Sequence, residues 1–161
     1  MENYMKLEIA AIGENESFAR SAVAAFALTL NPTLTDLSDV KTAVSEAVTN
    51  SIVHAYSGEQ GVGKILIECR AQKEENGEGQ LHIKITDYGC GIEDVEKAVM
   101  PFFTTLAGEE RSGMGFTIMQ TFMDGCKVES ARGKGTRVEM CKTIGGMESM
   151  ENGEIRKRVD A

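Results

Sequence analysis

The stretch Ser45-Glu46-Ala47-Val48-Thr49-Asn50 belongs to a segment with helical periodicity, and the fold can be worked out from it. Apolar residues recur at helical spacing over positions 36–55, which predicts one long amphipathic helix. At about 100° per residue, Glu46 lies roughly opposite Leu37, and Asn50 follows one turn later. Both polar side chains therefore lie opposite the apolar stripe and can point together into a cleft.

The pair Glu46 and Asn50 is suited to magnesium chemistry. Mg²⁺ takes few protein oxygens together with phosphates and water, and an amide oxygen can serve as one of them. A carboxylate nearby can accept a proton. Taken alone, the pair is explained as well by a solvated polar face of the helix, so the rest of the chain has to decide.

The segments around this helix predict further strands and helices. Helical spacing also covers 15–30 and 115–124, and strand patterns cover 5–11, 62–70, 81–86, 126–130 and 136–142. The first helix should bury Phe18, Ala22, Val23, Phe26 and Leu30. The polar connection 73–79 favours a hairpin, and the mixed segment 93–113 suits a mobile loop. These elements predict an α+β fold, a two-layer α/β sandwich with a mixed, mostly antiparallel sheet and helices on one face.

Length and charge limit the class of protein. A chain of 161 residues predicts one domain, expected over 1–143, and a charged, disordered tail over 144–161. The net charge of -8 argues against binding to the phosphate backbone of nucleic acids. The first residues contain no apolar block that suits a signal sequence or a membrane span, so a cytoplasmic location is predicted. The spacing of the four cysteines suggests neither zinc nor disulfides but reduced, mostly buried thiols.

A second motif, Asp87-Tyr88-Gly89-Cys90-Gly91, follows a predicted strand. Gly89 and Gly91 allow a tight turn and a close approach of the backbone to a ligand. The carboxylate of Asp87 can accept the amino group of a purine. Alone, the motif is as well explained by an ordinary turn at the end of a strand.

A third motif, Arg111-Ser112-Gly113-Met114-Gly115-Phe116, precedes the helical pattern at 115–124. The free N–H groups and the dipole of such a helix start favour phosphate, and Arg111 can clamp a terminal phosphate. The run Gly133-Lys134-Gly135-Thr136 lacks the spacing of a Walker-type phosphate loop and indicates a hairpin turn instead. The order of these motifs along the chain predicts an ATP site.

In that order, the motifs resemble the N, G1, G2 and G3 boxes of the GHKL superfamily of ATPases and kinases, which includes gyrase and the histidine kinases. The resemblance implies the Bergerat ATP-binding fold. Within the superfamily, the stretches 45–50, 101–105 and 110–117 are similar to the bacterial anti-sigma factor serine kinases, most closely those of the sporulation type.

The resemblance implies a role for each matching residue. Glu46 would be the general base, Asn50 the Mg²⁺ ligand, and Arg111 would neutralise charge on the transferred phosphoryl group. ATP or ADP would be contacted by Asn50, Asp87, Gly89, Gly91, Thr104, Thr105, Gly113, Met114, Gly115, Phe116 and Thr136. Within this set, Asp87 would bind adenine, Thr136 would support that end, and Thr104 and Thr105 would lie in a lid over the nucleotide.

The resemblance also implies partners. The protein would inhibit a sporulation sigma factor of the sigma-F type and phosphorylate a serine of its anti-anti-sigma antagonist. It would do so as a homodimer, with Arg20 on the partner surface, although a solvated arginine explains Arg20 about equally well. One alternative is a nucleotide-sensing anti-sigma module without efficient kinase activity. The catalytic domain of a histidine kinase is a weaker alternative, because the sequence shows no long dimerisation helices before the domain.

Overall fold

The computed structural model describes residues 2–57, 62–100 and 114–145. Its strands are β1 (Glu2–Ala10), β2 (Lys64–Lys73), β3 (Gly79–Asp87), β4 (Gly125–Ser130) and β5 (Thr136–Ile144). Its helices are α1 (Glu14–Ala27), α2 (Leu34–Asn50), α3 (Val95–Ala98) and α4 (Gly115–Phe122). A 3₁₀ turn at Leu28–Leu30 follows α1, and a π-helical turn at Ser51–Ala55 continues α2.

The five strands form one sheet in the order β1-β2-β3-β5-β4. Each of the four strand pairs in the described residues is antiparallel. The α+β class and the hairpin of β2 and β3 are confirmed, whereas the prediction of a mixed sheet is wrong. Because β5 returns beside β3 and β4 lies outside β5, β1 and β4 form the two edges of the sheet.

The two faces of the sheet differ in chemistry because side chains alternate along each strand. One face packs against the helices and buries apolar residues, among them Ile9, Ile65, Ile67, Leu81, Ile83, Ile85, Val138, Met140 and Ile144. The opposite face carries a row of charges, one from each strand, that alternates in sign: Lys6, Glu68, Lys84, Glu139 and Lys127. The Lys84 ammonium lies 2.7 Å from the Glu68 carboxylate within this row. In the described residues, the helices therefore pack against one face of the sheet, as predicted.

The long helix α2 starts with a capping box. Thr33 and Asp36 exchange hydrogen bonds of 3.1 Å between side chain and backbone N–H. Val40, Val44 and Val48 are fully buried along one stripe of the helix. The helix and the following π-helical turn span the predicted range 36–55, so the prediction of a helix there is confirmed.

The first helix buries part of the predicted apolar stripe. Phe18, expected in the core, is 54% exposed, while Ala19, Val23 and Ala27 are fully buried. Small side chains at the contact let α1 lie close to its neighbours, and the larger ring turns outward. The prediction for Phe18 is therefore wrong, whereas Val23 and Leu30 are buried as expected.

The cysteines are free thiols in the described residues, as predicted. Burial raises the pKa of Cys69 to about 12, so this thiol stays protonated at neutral pH. Cys126 and Cys141 are half-buried, but Cys90 is exposed, which corrects the expectation of mostly buried thiols at that position. Cys90 lies in the turn after β3, where its N–H donates a 2.7 Å hydrogen bond to the Ala55 carbonyl and its Sγ lies 3.4 Å from the His54 carbonyl oxygen.

Candidate functional site

Glu46 and Asn50 meet the start of α4. A Cβ atom added at Gly115 would lie 3.2 Å from Glu46 Oε2 and 3.1 Å from Asn50 Nδ2. Such a position is tighter than ordinary van der Waals contact, so the glycine is what lets the two helices come this close. We call Glu46, Asn50 and Gly115 the helix cluster.

The N-terminus of α4 has polar groups available for a ligand. In the described part of the chain, no side chain caps this helix, and its first turn holds no acidic residue. Met114 lies at the N-cap position, and its carbonyl accepts a 2.8 Å hydrogen bond from the Ile118 N–H. The first N–H groups of a helix lack intrahelical partners and attract anions. The helix cluster thus combines a carboxylate, an amide and the positive end of a helix dipole.

Asp87 lies at the end of β3, where hydrogen bonds hold its carboxylate. Its Oδ1 accepts hydrogen bonds from the N–H groups of Gly89 at 3.2 Å and Thr136 at 3.1 Å. Its Oδ2 accepts a 2.9 Å hydrogen bond from the Ser51 hydroxyl. The residue is only 4% exposed, so its orientation is fixed before any ligand arrives. We call Asp87, Gly89 and Thr136 the strand-end cluster.

Two glycines shape the backbone beside Asp87. A Cβ atom at Gly89 would lie 2.0 Å from the carbonyl oxygen of Ala55, which itself accepts a 2.7 Å hydrogen bond from the Cys90 N–H. Gly91 has a φ of 72°, and a Cβ there would lie 2.0 Å from the carbonyl oxygen of Ala131. No other residue fits either position without moving the backbone.

The two clusters are joined through consecutive residues of the chain. Asn50 ends α2 beside Gly115, and Ser51 opens the π-helical turn and bonds to Asp87. π-helical turns are rare and occur often at functional sites. The C-terminal end of α2 therefore contributes a residue to the helix cluster and a hydrogen bond to the strand-end cluster.

Several residues of this region were not predicted from the sequence. Ser51 is one, and Ser130 is another: its Oγ accepts a 2.7 Å hydrogen bond from the Ile92 N–H and lies 2.8 Å from Thr136 Oγ1. The hydroxyl of Tyr56 accepts a 2.8 Å hydrogen bond from the Tyr88 N–H and contacts the Lys64 carbonyl. The only signal for Ser51 was its position directly after Asn50.

The remaining predicted site residues lie beside the helix cluster, on α1 or outside the described residues. Phe116 is half-buried and packs against the core. Thr104, Thr105, Arg111 and Gly113 fall outside the described residues, so their roles stay predictions. Arg20 lies on α1, with its Nε 3.6 Å from Glu16 Oε1. It lines a groove of about 760 Å³ between α1 and α2 that extends to Glu46.

The oxygens of the helix cluster fit a magnesium ion that is shared with phosphates. Within residues 2–57, 62–100 and 114–145, no group of three or more His, Cys, Asp or Glu residues is arranged to hold a metal by itself. Mg²⁺ bound with a nucleotide needs only one or two protein oxygens, and the amide oxygen of Asn50 can supply one, which leaves the Glu46 carboxylate for proton transfer. In the same residues, no helix is long and apolar enough to cross a membrane.

Comparisons with known proteins show the family to which the chain belongs. The profile of a family described as the histidine kinase-like ATPase domain matches residues 10–142. The chain is 54% identical over 143 residues to an anti-sigma F factor of Caldanaerobacter subterraneus subsp. tengcongensis, covering 89% of this chain and 95% of that one. It is 55% identical over 142 residues to an anti-sigma F factor of Clostridium botulinum, covering 88% and 94%.

A solved structure of the RsbU and RsbW domains of a Mycobacterium tuberculosis protein is similar in fold. Its TM-score is 0.58 at 14% sequence identity, over 89% of this chain and 34% of that longer chain. At this identity the likeness concerns the fold alone. It agrees with the antiparallel sheet covered by helices on one face.

Proposed function

The chain belongs to the histidine kinase-like ATPase domain family and, within it, to the anti-sigma F factors, and we propose on this basis that it is a serine protein kinase. In this proposal it binds Mg-ATP and phosphorylates an anti-anti-sigma protein on a serine. It also binds and inhibits a sigma factor of the sigma-F type. The observation that supports catalysis most is the approach of Gly115 to Glu46 and Asn50.

The strand-end cluster is the proposed site for adenine. Asp87 is a buried acceptor with a fixed orientation, which suits the 6-amino group of adenine. A guanine base presents a carbonyl oxygen at that position, which the acceptor oxygens of Asp87 would repel.

The helix cluster is the proposed site for the phosphates. The N–H groups at the start of α4 would bind phosphate oxygens, and Asn50 would bind Mg²⁺ through its amide oxygen. When bound, Mg²⁺ neutralises charge on the phosphates. Arg111, Thr104, Thr105 and Gly113 remain proposed contacts of the same end, with the first acting on the transferred group.

The proposed reaction uses Glu46 as the base. The serine hydroxyl oxygen of the substrate forms a bond to the γ-phosphorus, and the bond from that phosphorus to the bridging oxygen breaks. ADP leaves with the electron pair, and the hydroxyl proton passes to the Glu46 carboxylate. Positioning and charge neutralisation supply most of the acceleration in such transfers.

The groove between α1 and α2 is the proposed partner surface. Arg20 lies in it, and Glu46 lies at its edge, so a protein bound there would be next to the base. The apolar side chains of Leu28 and Leu34 are exposed in the same groove. We propose that the active species is a homodimer, as the resemblance to the anti-sigma kinases implies. Replacing Arg20→Glu should abolish capture of a purified sigma-F-type factor, whereas Arg70→Glu on the outer face of the sheet should not.

One experiment separates the kinase from its alternative. The protein is incubated with γ-labelled ATP, Mg²⁺ and a purified anti-anti-sigma protein, and phosphoserine is measured beside complex formation. The proposal predicts labelled phosphoserine on the antagonist. Complexes that depend on nucleotide but carry no label would support the alternative, a nucleotide-sensing anti-sigma module.

A further inference from the structure

A buried lysine joins three elements at the far end of α4. Lys142 lies on the core face of β5 and is 5% exposed. Its Nζ donates one 3.0 Å hydrogen bond to Asp39 Oδ2 on α2 and another to the Phe122 carbonyl at the end of α4. A buried ammonium is costly unless it is paired, so this contact requires all three elements to be in place.

The lysine contact and the helix cluster lie at opposite ends of the same helix pair. Asp39 and Glu46 are seven positions apart on α2, and Gly115 and Phe122 are seven positions apart on α4. At 1.5 Å per residue, each segment is about 10.5 Å long. The two helices run antiparallel and are held at both ends, by Lys142 at one end and by the approach of Gly115 at the other.

We propose that Lys142 is a positioning residue for the phosphates of the nucleotide. Because it binds Asp39 and the Phe122 carbonyl at once, it sets how far α4 can slide along α2. That register decides where the N–H groups at the start of α4 lie relative to Glu46 and Asn50. The cation also lies at the negative end of the α4 dipole, which favours its position there. This role depends on the proposed ATP site.

The position of the strand-end cluster allows a test that distinguishes a positioning role of Lys142 from a role in stability alone. Asp87 is held by Ser51, Gly89 and Thr136, and none of these contacts involves α4 or Lys142. Adenosine carries the base but no phosphate, whereas ADP carries both. Displacement of α4 should therefore weaken the binding of ADP and leave the binding of adenosine unchanged. A general loosening of the fold should weaken the binding of both ligands.

The test is titration calorimetry of Mg-ADP and of adenosine against Lys142→Met. We expect roughly 10- to 100-fold weaker ADP binding, the range for one or two lost contacts to a charged group, and unchanged adenosine binding. Lys142→Arg keeps a cation with several donors and should restore most of the ADP affinity. Lys84→Met is the matched control, since it removes an ion pair with Glu68 on the outer face of the sheet and should change neither ligand.

A second variant guards against loss of the fold. Asp39→Leu combined with Lys142→Met replaces the buried ion pair by apolar side chains, a change that is often neutral or stabilising. It should still lower ADP affinity selectively, because the Phe122 carbonyl has lost its donor. Equal ADP affinity of the wild type and the double variant would overturn the role of Lys142. An equal loss of ADP and adenosine affinity in the double variant would overturn it as well. A wild-type protein that binds no ADP would overturn the proposed function itself.

Discussion

The strand-end cluster and the helix cluster differ in what holds their side chains in place. Asp87 is fixed by hydrogen bonds from Ser51, Gly89 and Thr136. Glu46 and Asn50 are positioned instead by the packing of α4 on α2 and by the missing side chain at Gly115. We therefore expect substitutions in the strand-end cluster to affect ligand binding and stability together. Substitutions in the helix cluster should change ligand binding or phosphoryl transfer without lowering stability.

The largest effect should come from Glu46→Gln. The amide cannot accept the hydroxyl proton, so phosphoserine formation should fall about 10²- to 10⁴-fold, the usual contribution of a positioned base. Binding of ADP and the melting temperature should stay unchanged, because the shape of the side chain is kept. Single-turnover transfer from labelled ATP measures the effect. Glu129→Gln on the outer face of the sheet is the control, and transfer at the wild-type rate by Glu46→Gln would remove the assigned base.

The next largest effect should come from Asp87→Asn. Asparagine has an NH₂ group in place of one carboxylate oxygen, and this group cannot accept a hydrogen bond. At least one donor among Ser51, Gly89 and Thr136 therefore loses its acceptor. We expect about 1–3 kcal/mol lower stability and roughly 10- to 100-fold weaker binding of both adenosine and ADP. Thermal unfolding and calorimetry measure the two quantities. Asp124→Asn removes a carboxylate that accepts from the Thr143 N–H and is the control; normal adenosine affinity of Asp87→Asn would contradict the adenine assignment.

A smaller and opposite pair of effects is expected for Gly115→Ala. Alanine is favoured over glycine by about 0.5–1 kcal/mol inside a helix and by less at its first residue, so the melting temperature should hold or rise slightly. The added Cβ would press on Glu46 and Asn50 at 3.2 and 3.1 Å, so ADP affinity should fall about 10-fold while adenosine affinity is kept. Gly13→Ala is the control, since a Cβ there meets nothing within 4 Å. Loss of adenosine binding by Gly115→Ala would show that the clusters are not separable.

The smallest effect should come from Ser51→Ala. It removes one of the hydrogen bonds to Asp87 and leaves the others, which should cost about 1 kcal/mol of stability. The affinities for adenosine and ADP should fall by the same small factor, since the binding of both ligands depends on the orientation of Asp87. Chemical denaturation and calorimetry measure this, with Ser57→Ala on the exposed turn as the control. Selective loss of ADP would place Ser51 in the helix cluster instead.

The sequence was most informative where periodicity and a motif coincide. The acid and the amide of α2 could be placed on one face from the helical spacing of their neighbours, and the glycines near Asp87 from the end of a strand. The structure then brings Asp87 to Thr136 and Gly115 to Glu46, contacts between residues far apart in the chain. Local patterns predicted the helices and strands, whereas only the family resemblance implied that these distant residues share one site.

The unpredicted features depend on contacts between distant parts of the chain. The π-helical turn after Asn50 has no pattern of its own, so the bond from Ser51 to Asp87 could not be expected. The outward ring of Phe18 reflects how closely Ala19 and Ala27 let α1 pack, which helical periodicity does not report. Lys142 looked like an ordinary strand residue, because only the fold places it beneath Asp39 and Phe122.

The most direct measurement is calorimetric titration of the purified wild-type protein with ADP, in the presence and absence of Mg²⁺. The account predicts one ADP bound per chain, with tighter binding when Mg²⁺ is present, because Asn50 and the phosphates would share the ion. Saturable binding that Mg²⁺ does not change would contradict the role of the helix cluster. Absence of any binding would contradict the convergence of both clusters on one nucleotide.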